Sequence, residues 1–253
     1  MATNSRRIGL ARALSKLGYC SRSQAVKLIR AGRVRVNGEV KRDPEFTLRN
    51  SELRLDVDGK IVSARQKTCL MVNKPRGIVT TASDEKGRTT VYSLLAEEYR
   101  PGEERWVAPV GRLDKASEGL LLLTNDSEWG ARIVAPETHL EKTYHVQIGT
   151  VAEDSMVQQL VKGIRCEDGE ILRAKRAQLL RAGEKNCWLE IVLEEGRNRQ
   201  IRRMVDALRV KVLRLVRVAI GPLELGNLAK GESRPLSPEE KRRLDRAMGM
   251  KRS

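Results

Sequence analysis

The chain is poor in aromatic side chains, with one Phe, three Trp and four Tyr among 253 residues. That scarcity argues against a sheet that reads single strands by stacking successive bases on rings. Recognition of bases, if it occurs, has to rest on arginines and one or two rings. Histidine is scarcer still: His139 and His145 are the only two. The cysteines Cys20, Cys69, Cys166 and Cys187 have no C-x-x-C spacing, so buried reduced thiols and no metal are expected. No apolar run approaches the roughly 18 residues of a membrane span. The N-terminal MATNSRRIGL lacks the apolar core of a secretion signal, so a cytoplasmic protein without membrane association is expected. Internal repeats, low-complexity segments and cofactor motifs are missing too, and no cofactor is expected.

What the chain has is positive charge. Forty-nine Lys and Arg against 33 Asp and Glu leave a formal +16, spread along the whole length. Solubility needs a net charge of only about 2 to 8, so the excess points to a polyanionic partner. The hydrophobic share of 40% marks a folded protein, and the length suffices for one large or two smaller domains.

Leu10, Leu14 and Leu17 recur at helical spacing up to Gly18. Ser21 then opens S-R-S-Q, a capping-box pattern, followed by Ala25, Leu28 and Ile29 as a buried face and Gly32 as a stop. Val34 and Val36 alternate with Arg33 and Arg35 before Asn37-Gly38, a strong hairpin signal. Polar residues from Asp56 to Lys67 read as a linker. Beyond it, CLMVNK, KTYHVQI, Arg173–Leu180, Cys187–Leu193 and KVLRLVRVAI read as strands. Helices are expected near Val91–Glu98, Glu153–Val161, Arg199–Leu208 and after Ser237-Pro238-Glu239-Glu240. With few crossover helices between strands, the fold class is α+β with a mixed, mainly antiparallel sheet flanked by helices.

The most apolar run, Leu120–Leu123, follows VGRLDKASEG and ends in Thr-Asn-Asp. It reads as a strand buried on both faces and closed by a turn. Taken alone, Arg112 and Asp114 ahead of it fit a structural ion pair more readily than a catalytic one. In extended geometry the two would share a face.

Two resemblances sharpen this. The pattern G-x-x-S-R-x-x-A-x-x-L-I-x-x-G-x-V-x-V-N-G from Gly18 to Gly38 resembles the S4 RNA-binding domain. That implies RNA docking by Arg12, Arg22, Lys27, Arg30 and Arg33, contacts that position without reading sequence. GRLDKASEGLLLLTND, together with NKPRGIVTT, EKTYHV and EEGRNRQIRRM in that order, resembles the pseudouridine synthases. The likeness is to the branch carrying an S4 domain and modifying ribosomal RNA, often called the RsuA/RluB family. It implies a basic tail over residues 1–9, an S4 domain over 10–57, a linker over 58–67, a catalytic domain over 68–236, and a C-terminal helix and basic tail over 237–253.

The resemblance implies an isomerase, an intramolecular transferase that detaches uracil from C1′, turns it and rejoins it through C5. It places the catalytic carboxylate on Asp114, a charge partner for it on Arg202 and a base-stacking tyrosine on Tyr144, although the alternation of KTYHVQI also fits a core tyrosine. An ionised carboxylate can attack as nucleophile or help deprotonate the sugar, and the chemical path stays open. Extruding a nucleotide leaves a vacancy that Arg112 could fill; the other reading of Arg112 is an ion pair with Asp114 or Glu118. Lys74 is expected to shape the pocket or touch RNA, and Arg197 and Arg199 to bind RNA. The implied partner is ribosomal RNA, free or in an assembling subunit, with large-subunit RNA preferred over small-subunit RNA and the enzyme a monomer.

Three positions depart from the family pattern. Ser117 stands where a threonine is common, Asp126-Ser127 replaces Asp-Gly, and ALRVKV lacks a glycine after its helix. Competing readings are a catalytically silent RNA-binding or ribosome-assembly protein and a glycoside hydrolase. The hydrolase would need paired carboxylates, for which Glu118 is the nearby candidate and is better read as a cap or salt bridge.

Overall fold

A computed structural model describes residues 8–48, 54–81, 84, 86–103 and 105–250. Most of the expected N-terminal basic tail (residues 1–7), the last three residues of the C-terminal tail, and residues 82, 83 and 85 of the polar loop lie outside the described residues. Two compact units are present. The first combines the chain through Cys69 with Ala96–Ala108 and Leu123–Gly130; the second holds Leu70–Leu95, Pro109–Leu122 and the chain from Ala131 onward.

The first unit opens with β1 (Ile8–Gly9), α1 (Leu10–Lys16) and α2 (Arg22–Arg30). Ser21 caps α2 as its pattern predicts: its side chain accepts from the Gln24 N–H, and Gln24 reaches back to the Ser21 N–H. Strands β2 (Val34–Val36), β3 (Glu39–Val40), β4 (Thr47–Leu48), β5 (Leu55–Val57) and β6 (Lys60–Ile61) follow. Asn37 and Gly38 both take positive φ, 52° and 86°, in the turn between β2 and β3. β3-β2-β5-β6 form one sheet and β1 pairs with β4. Leu10, Leu14, Ala25, Ile29, Val34 and Val57 fill the core, each at most 1% exposed. The stretch read as a linker is therefore partly structured, because Lys60 and Ile61 pair with Val57 and Asp56. The unit also reaches past residue 57: Trp106 donates Nε1–H to the Gly18 carbonyl at 3.0 Å, and Arg65 donates to the Glu103 carbonyl at 2.9 Å.

The main sheet comprises β7 (Cys69–Lys74), β8 (Ala108–Val110), β9 (Glu118–Thr124), β10 (Lys142–Ile148), β13 (Arg176–Ala182), β14 (Cys187–Leu193), β15 (Val212–Ile220), β16 (Leu223–Glu224) and β17 (Ser233–Pro235). Its order is β13-β14-β10-β15-β9-β7-β17, with β16 on β15 and β8 on β9. β15 runs parallel to β9, whereas β10–β14, β10–β15, β13–β14 and β7–β17 are antiparallel. Mixed and mainly antiparallel, it matches the expected class. Leu120–Leu123 are fully buried in β9.

Helices α3 (Ser127–Val134), α4 (Asp154–Lys162), α5 (Gln200–Ala207) and α6 (Pro238–Ala247) and a small hairpin, β11 (Ile164–Arg165) with β12 (Ile171–Leu172), complete the chain. Leu160 of α4 and Ile201 and Met204 of α5 join Val146, Ile148, Leu189 and Ile191 in one core. Full burial of such side chains contributes about 1.5–3 kcal/mol each.

The helix expected near Val91–Glu98 is instead two 3₁₀ turns, Val91–Leu94 and Glu97–Tyr99, since Leu95 between them is extended at ψ 148°. Thr-Asn-Asp closes β9 not only by a turn but by starting α3, whose Trp129 N–H donates to the Asp126 carboxylate at 3.2 Å. After α5, Arg209 occupies the left-handed region at φ 57°, the position where a glycine was missing. No helix among the described residues is long and apolar enough to cross a membrane.

Candidate active site

Between β8 and β9 the chain turns at Gly111, φ 69°, and runs through residues 112–117 as irregular backbone. Asp114 lies on this connection and not in a strand, so the face-sharing expected for Arg112 and Asp114 does not apply. Five successive carbonyls of the segment are each held by a different donor. Thr80 Oγ1 donates to Leu113 at 2.8 Å, the Ser117 N–H to Asp114 at 2.9 Å and the Gly77 N–H to Lys115 at 2.7 Å. Arg202 Nη2 donates to Ala116 at 3.0 Å and Lys74 Nζ to Ser117 at 2.8 Å. An irregular loop with five successive carbonyls satisfied is nearly as constrained as a regular element, so the Asp114 Cα is fixed while its carboxylate remains free. Among the described residues no salt bridge or side-chain hydrogen bond engages that carboxylate.

Lys74 is 0% exposed. Its ammonium also donates to the carbonyls of Pro75 at 3.1 Å and Ile78 at 2.8 Å. Burial pushes Lys74 down to about 8, against the opposing pull of the Asp114 and Glu118 charges. The expected RNA contact of Lys74 is thereby corrected: the side chain is sealed from the surface and holds the loop that carries Asp114.

Asp114 faces a cavity of about 470 Å³ lined by Arg112, Lys142, Tyr144, Arg197, Arg199 and Arg217, among others. Of its charged lining residues five are cationic and two, Asp114 and Glu195, are acidic. Glu195 is held by Arg197 Nε at 3.0 Å. Tyr144 lines the cavity and also packs on the core. Arg112 is exposed at the cavity, and among the described residues it pairs with neither Asp114 nor Glu118. Glu118 is the salt-bridging residue expected: burial pushes its carboxyl up, but Arg214 and Lys230 outweigh that and hold it below its ordinary range.

Arg202 is not among the residues that line the cavity. Burial and the Arg199 charge push its guanidinium down, and Asp114 pulls it back up, which places the two within electrostatic reach. Among the described residues no direct ion pair joins Arg202 to Asp114; its guanidinium donates instead to the Ala116 carbonyl. Arg197 is tied to Glu170 and Glu195, and Arg203 to Asp168 and Glu170. Gln200 secures the same turn, accepting from the Arg197 N–H at 3.2 Å and donating to the Arg173 carbonyl at 3.1 Å. Arg199, at φ 49°, is left exposed with no ion pair among the described residues. Ser117 contributes through its backbone, and no partner engages its hydroxyl among the described residues.

In the first unit Arg12, Arg22, Lys27, Arg30 and Arg33 are all exposed. Arg22 has a weak 3.4 Å pair with Glu45, and Arg33 is clamped by Asp58 at 2.5 Å. Arg12, Lys27 and Arg30 carry no ion pair among the described residues and form the uncompensated part of the patch.

Sequence reasoning did not single out Arg217 or Lys142. Arg217 is 6% exposed. It reaches the cavity because β15 slips against β10 between Thr143 and Tyr144: Thr143 faces Ala219, but Tyr144 faces Arg217. The bulge lets residues an odd number apart, Arg217 and Ile220, line one cavity. Gly119 makes room for it, since a Cβ there, at φ 101°, would lie 2.2 Å from the Arg217 carbonyl oxygen. The signal available in the sequence was an arginine centred in V-R-V, a charge inside a strand.

Comparison with known proteins identifies the family. Residues 68–207 match the family model described as RNA pseudouridylate synthase, and residues 8–53 match the S4 domain. An RNA pseudouridine synthase of Aquifex aeolicus is 38% identical over 239 residues, covering 94% of each chain. The ribosomal large subunit pseudouridine synthase B of Bacillus subtilis is 34% identical, covering 93% of this chain and 94% of its own. A crystal structure of a pseudouridylate synthase superposes with a TM-score of 0.65 at 30% identity, over 94% of this chain and 99% of that one. The protein belongs to the RNA pseudouridylate synthase family, as a member with an S4 domain ahead of the synthase fold.

Proposed function

We propose that this synthase converts uridine to pseudouridine at a site in ribosomal RNA, in the large subunit rather than the small, with Asp114 as the catalytic carboxylate. The observation carrying this is the free Asp114 carboxylate, on a loop pinned at five carbonyls, facing a cavity whose other charges are mostly cationic. The N1–C1′ bond breaks and a C5–C1′ bond forms; one proton leaves C5 and one is taken up at N1, so nothing is oxidised and no group leaves. A uridine inside a stem has to be extruded to reach Asp114, at the cost of stacking and pairing. The exposed Arg112 is placed to enter the vacated space, and Tyr144 to stack on the uracil.

Arg202 is a positioning residue here, holding Ala116 two residues from the carboxylate. Arg12, Lys27 and Arg30 supply phosphate contacts that set the docking of the RNA without reading its sequence. All these groups come from one chain, so a monomer suffices, and a ribosomal substrate places the enzyme in the cytoplasm. The large-subunit preference draws on the names of the Bacillus subtilis and Haemophilus influenzae relatives. Incubation with large- and small-subunit rRNA transcripts and assembly intermediates, followed by chemical mapping, should find pseudouridine at a large-subunit position. Binding with no modified uridine in any of these RNAs would reduce the protein to a binding role, and release of free uracil would indicate glycoside cleavage.

A further inference from the structure

Lys142 and Arg217 reach the same cavity from neighbouring strands β10 and β15. On β10, Lys142 and Tyr144 are two apart and share a face. The slip in β15 sets Arg217 opposite Tyr144 while Ile220 stays opposite Lys142, so both cations are turned to the tyrosine's side.

Neither cation has an acidic partner among the described residues. Arg217 is 6% exposed; its Nε donates to the Leu120 carbonyl at 2.7 Å, and its Nη2 is buried with no hydrogen-bond partner among the described residues. Lys142 Nζ has a long 3.4 Å contact with the Glu194 carbonyl. Burial pushes the Lys142 ammonium below its ordinary range, and the charge of Arg217 pushes it further. Two desolvated like charges with an orphaned guanidinium N–H are unfavourable unless an anion enters.

We propose that Lys142 and Arg217 form a phosphate subsite, gripping a phosphodiester that flanks the nucleotide held in the cavity. The uracil of the bound nucleotide is neutral, and even the detached base carries a single charge spread over its ring, whereas a phosphodiester oxygen pair matches a guanidinium and an ammonium side by side. The reaction gives the subsite its purpose. Once the N1–C1′ bond breaks, the base must turn while the ribose stays against Asp114, and the ribose is held through its own phosphates. This inference rests on the isomerase reading of the cavity.

The test uses the full-length protein in two arms. In the first, uridine, 3′-UMP and 5′-UMP are titrated and followed by NMR. Wild type should bind one monophosphate about 10-fold or more tighter than uridine, the scale of a charge-assisted contact. Lys142→Met and Arg217→Met should each erase most of that preference. In the second arm, a stem-loop carrying the mapped uridine receives one uncharged methylphosphonate, on its 3′ or its 5′ side. At the favoured side wild type should lose about 10-fold or more in single-turnover rate, whereas Lys142→Met should barely respond to the same substitution. Lys142→Met carries the test if Arg217→Met fails to fold.

Equal wild-type affinity for uridine and both monophosphates would overturn the subsite, as would variants that keep the preference. A preserved phosphate preference with no modification of any rRNA would support the subsite and refute the ribosomal substrate instead.

Discussion

Replacing Lys74 with methionine separates the loop that carries Asp114 from the strand behind it. The stem volume is nearly conserved, but the part-buried carbonyls of Pro75 and Ile78 and the buried carbonyl of Ser117 all lose their donor. Each unsatisfied buried acceptor costs about 1–3 kcal/mol. Removing the charge offsets part of this: a pKa held near 8 instead of 10.5 marks an ammonium disfavoured in the folded state by about 3 kcal/mol. The net expectation is a destabilisation of about 3 kcal/mol, read as a lowered urea midpoint with an unchanged slope. Activity should fall further than stability explains. With the Ser117 carbonyl released, the turn bearing Asp114 can drift, and a misplacement of about 1 Å costs about 100-fold. Single-turnover pseudouridine formation at saturating enzyme, at a temperature where the variant is folded, measures this. A rate within about twofold of wild type would refute the view that the clamp positions the carboxylate.

The remaining expectations concern the same supports. Gly119→Ala puts a Cβ 2.2 Å from the Arg217 carbonyl oxygen at a positive φ and should destabilise by about 3 kcal/mol or more, checked by denaturant melts; a neutral result would show that β15 can shift freely. As pH rises through about 8, folded Lys74 loses its proton and one of its three donors, so the single-turnover rate should decline. Over the window from about 8 to 10.5 the unfolded state holds more protons at this lysine, so its contribution to stability should rise with pH as activity falls. Matched curves for rate and stability would contradict that. Charge reversal at Arg12, Lys27 and Arg30 should weaken RNA binding and flatten its dependence on log salt by about 0.7–0.9 for each phosphate no longer neutralised, leaving the single-turnover rate at saturation unchanged; unaltered filter binding would remove the S4 patch from docking.

Short-range signals translate directly into local structure. The Ser21 capping box, the Asn37-Gly38 turn and the four buried leucines of β9 each depend on residues within a few positions, and all three stand where expected. The clamp around Asp114 could not be read the same way. Four of its five donors, Lys74, Gly77, Thr80 and Arg202, lie outside 113–117, up to 86 residues away, and carbonyl acceptors leave no trace in side-chain identity. Arg202 was singled out by resemblance, yet its target, a carbonyl instead of the carboxylate, depends on where α5 sits against the loop. For Lys74 the sequence leaves pocket shaping and RNA contact both open; lysines are usually exposed, and three inward carbonyls reverse that preference here. Arg217 escaped notice because a one-residue slip decides which face it occupies, and strand alternation alone does not show where a bulge falls. α3 was missed for a simpler reason: Asp126 was read as a turn residue when it caps a helix.

The central claim is that the Asp114 carboxylate performs the isomerisation in RNA. It is tested most directly by comparing wild type with Asp114→Asn in single-turnover reactions on the mapped rRNA, alongside binding. The substitution keeps the size of the side chain and changes no carbonyl clamp, so the variant should bind the RNA as tightly as wild type and form no measurable pseudouridine. Pseudouridine formed by Asp114→Asn at a rate close to wild type would contradict the account.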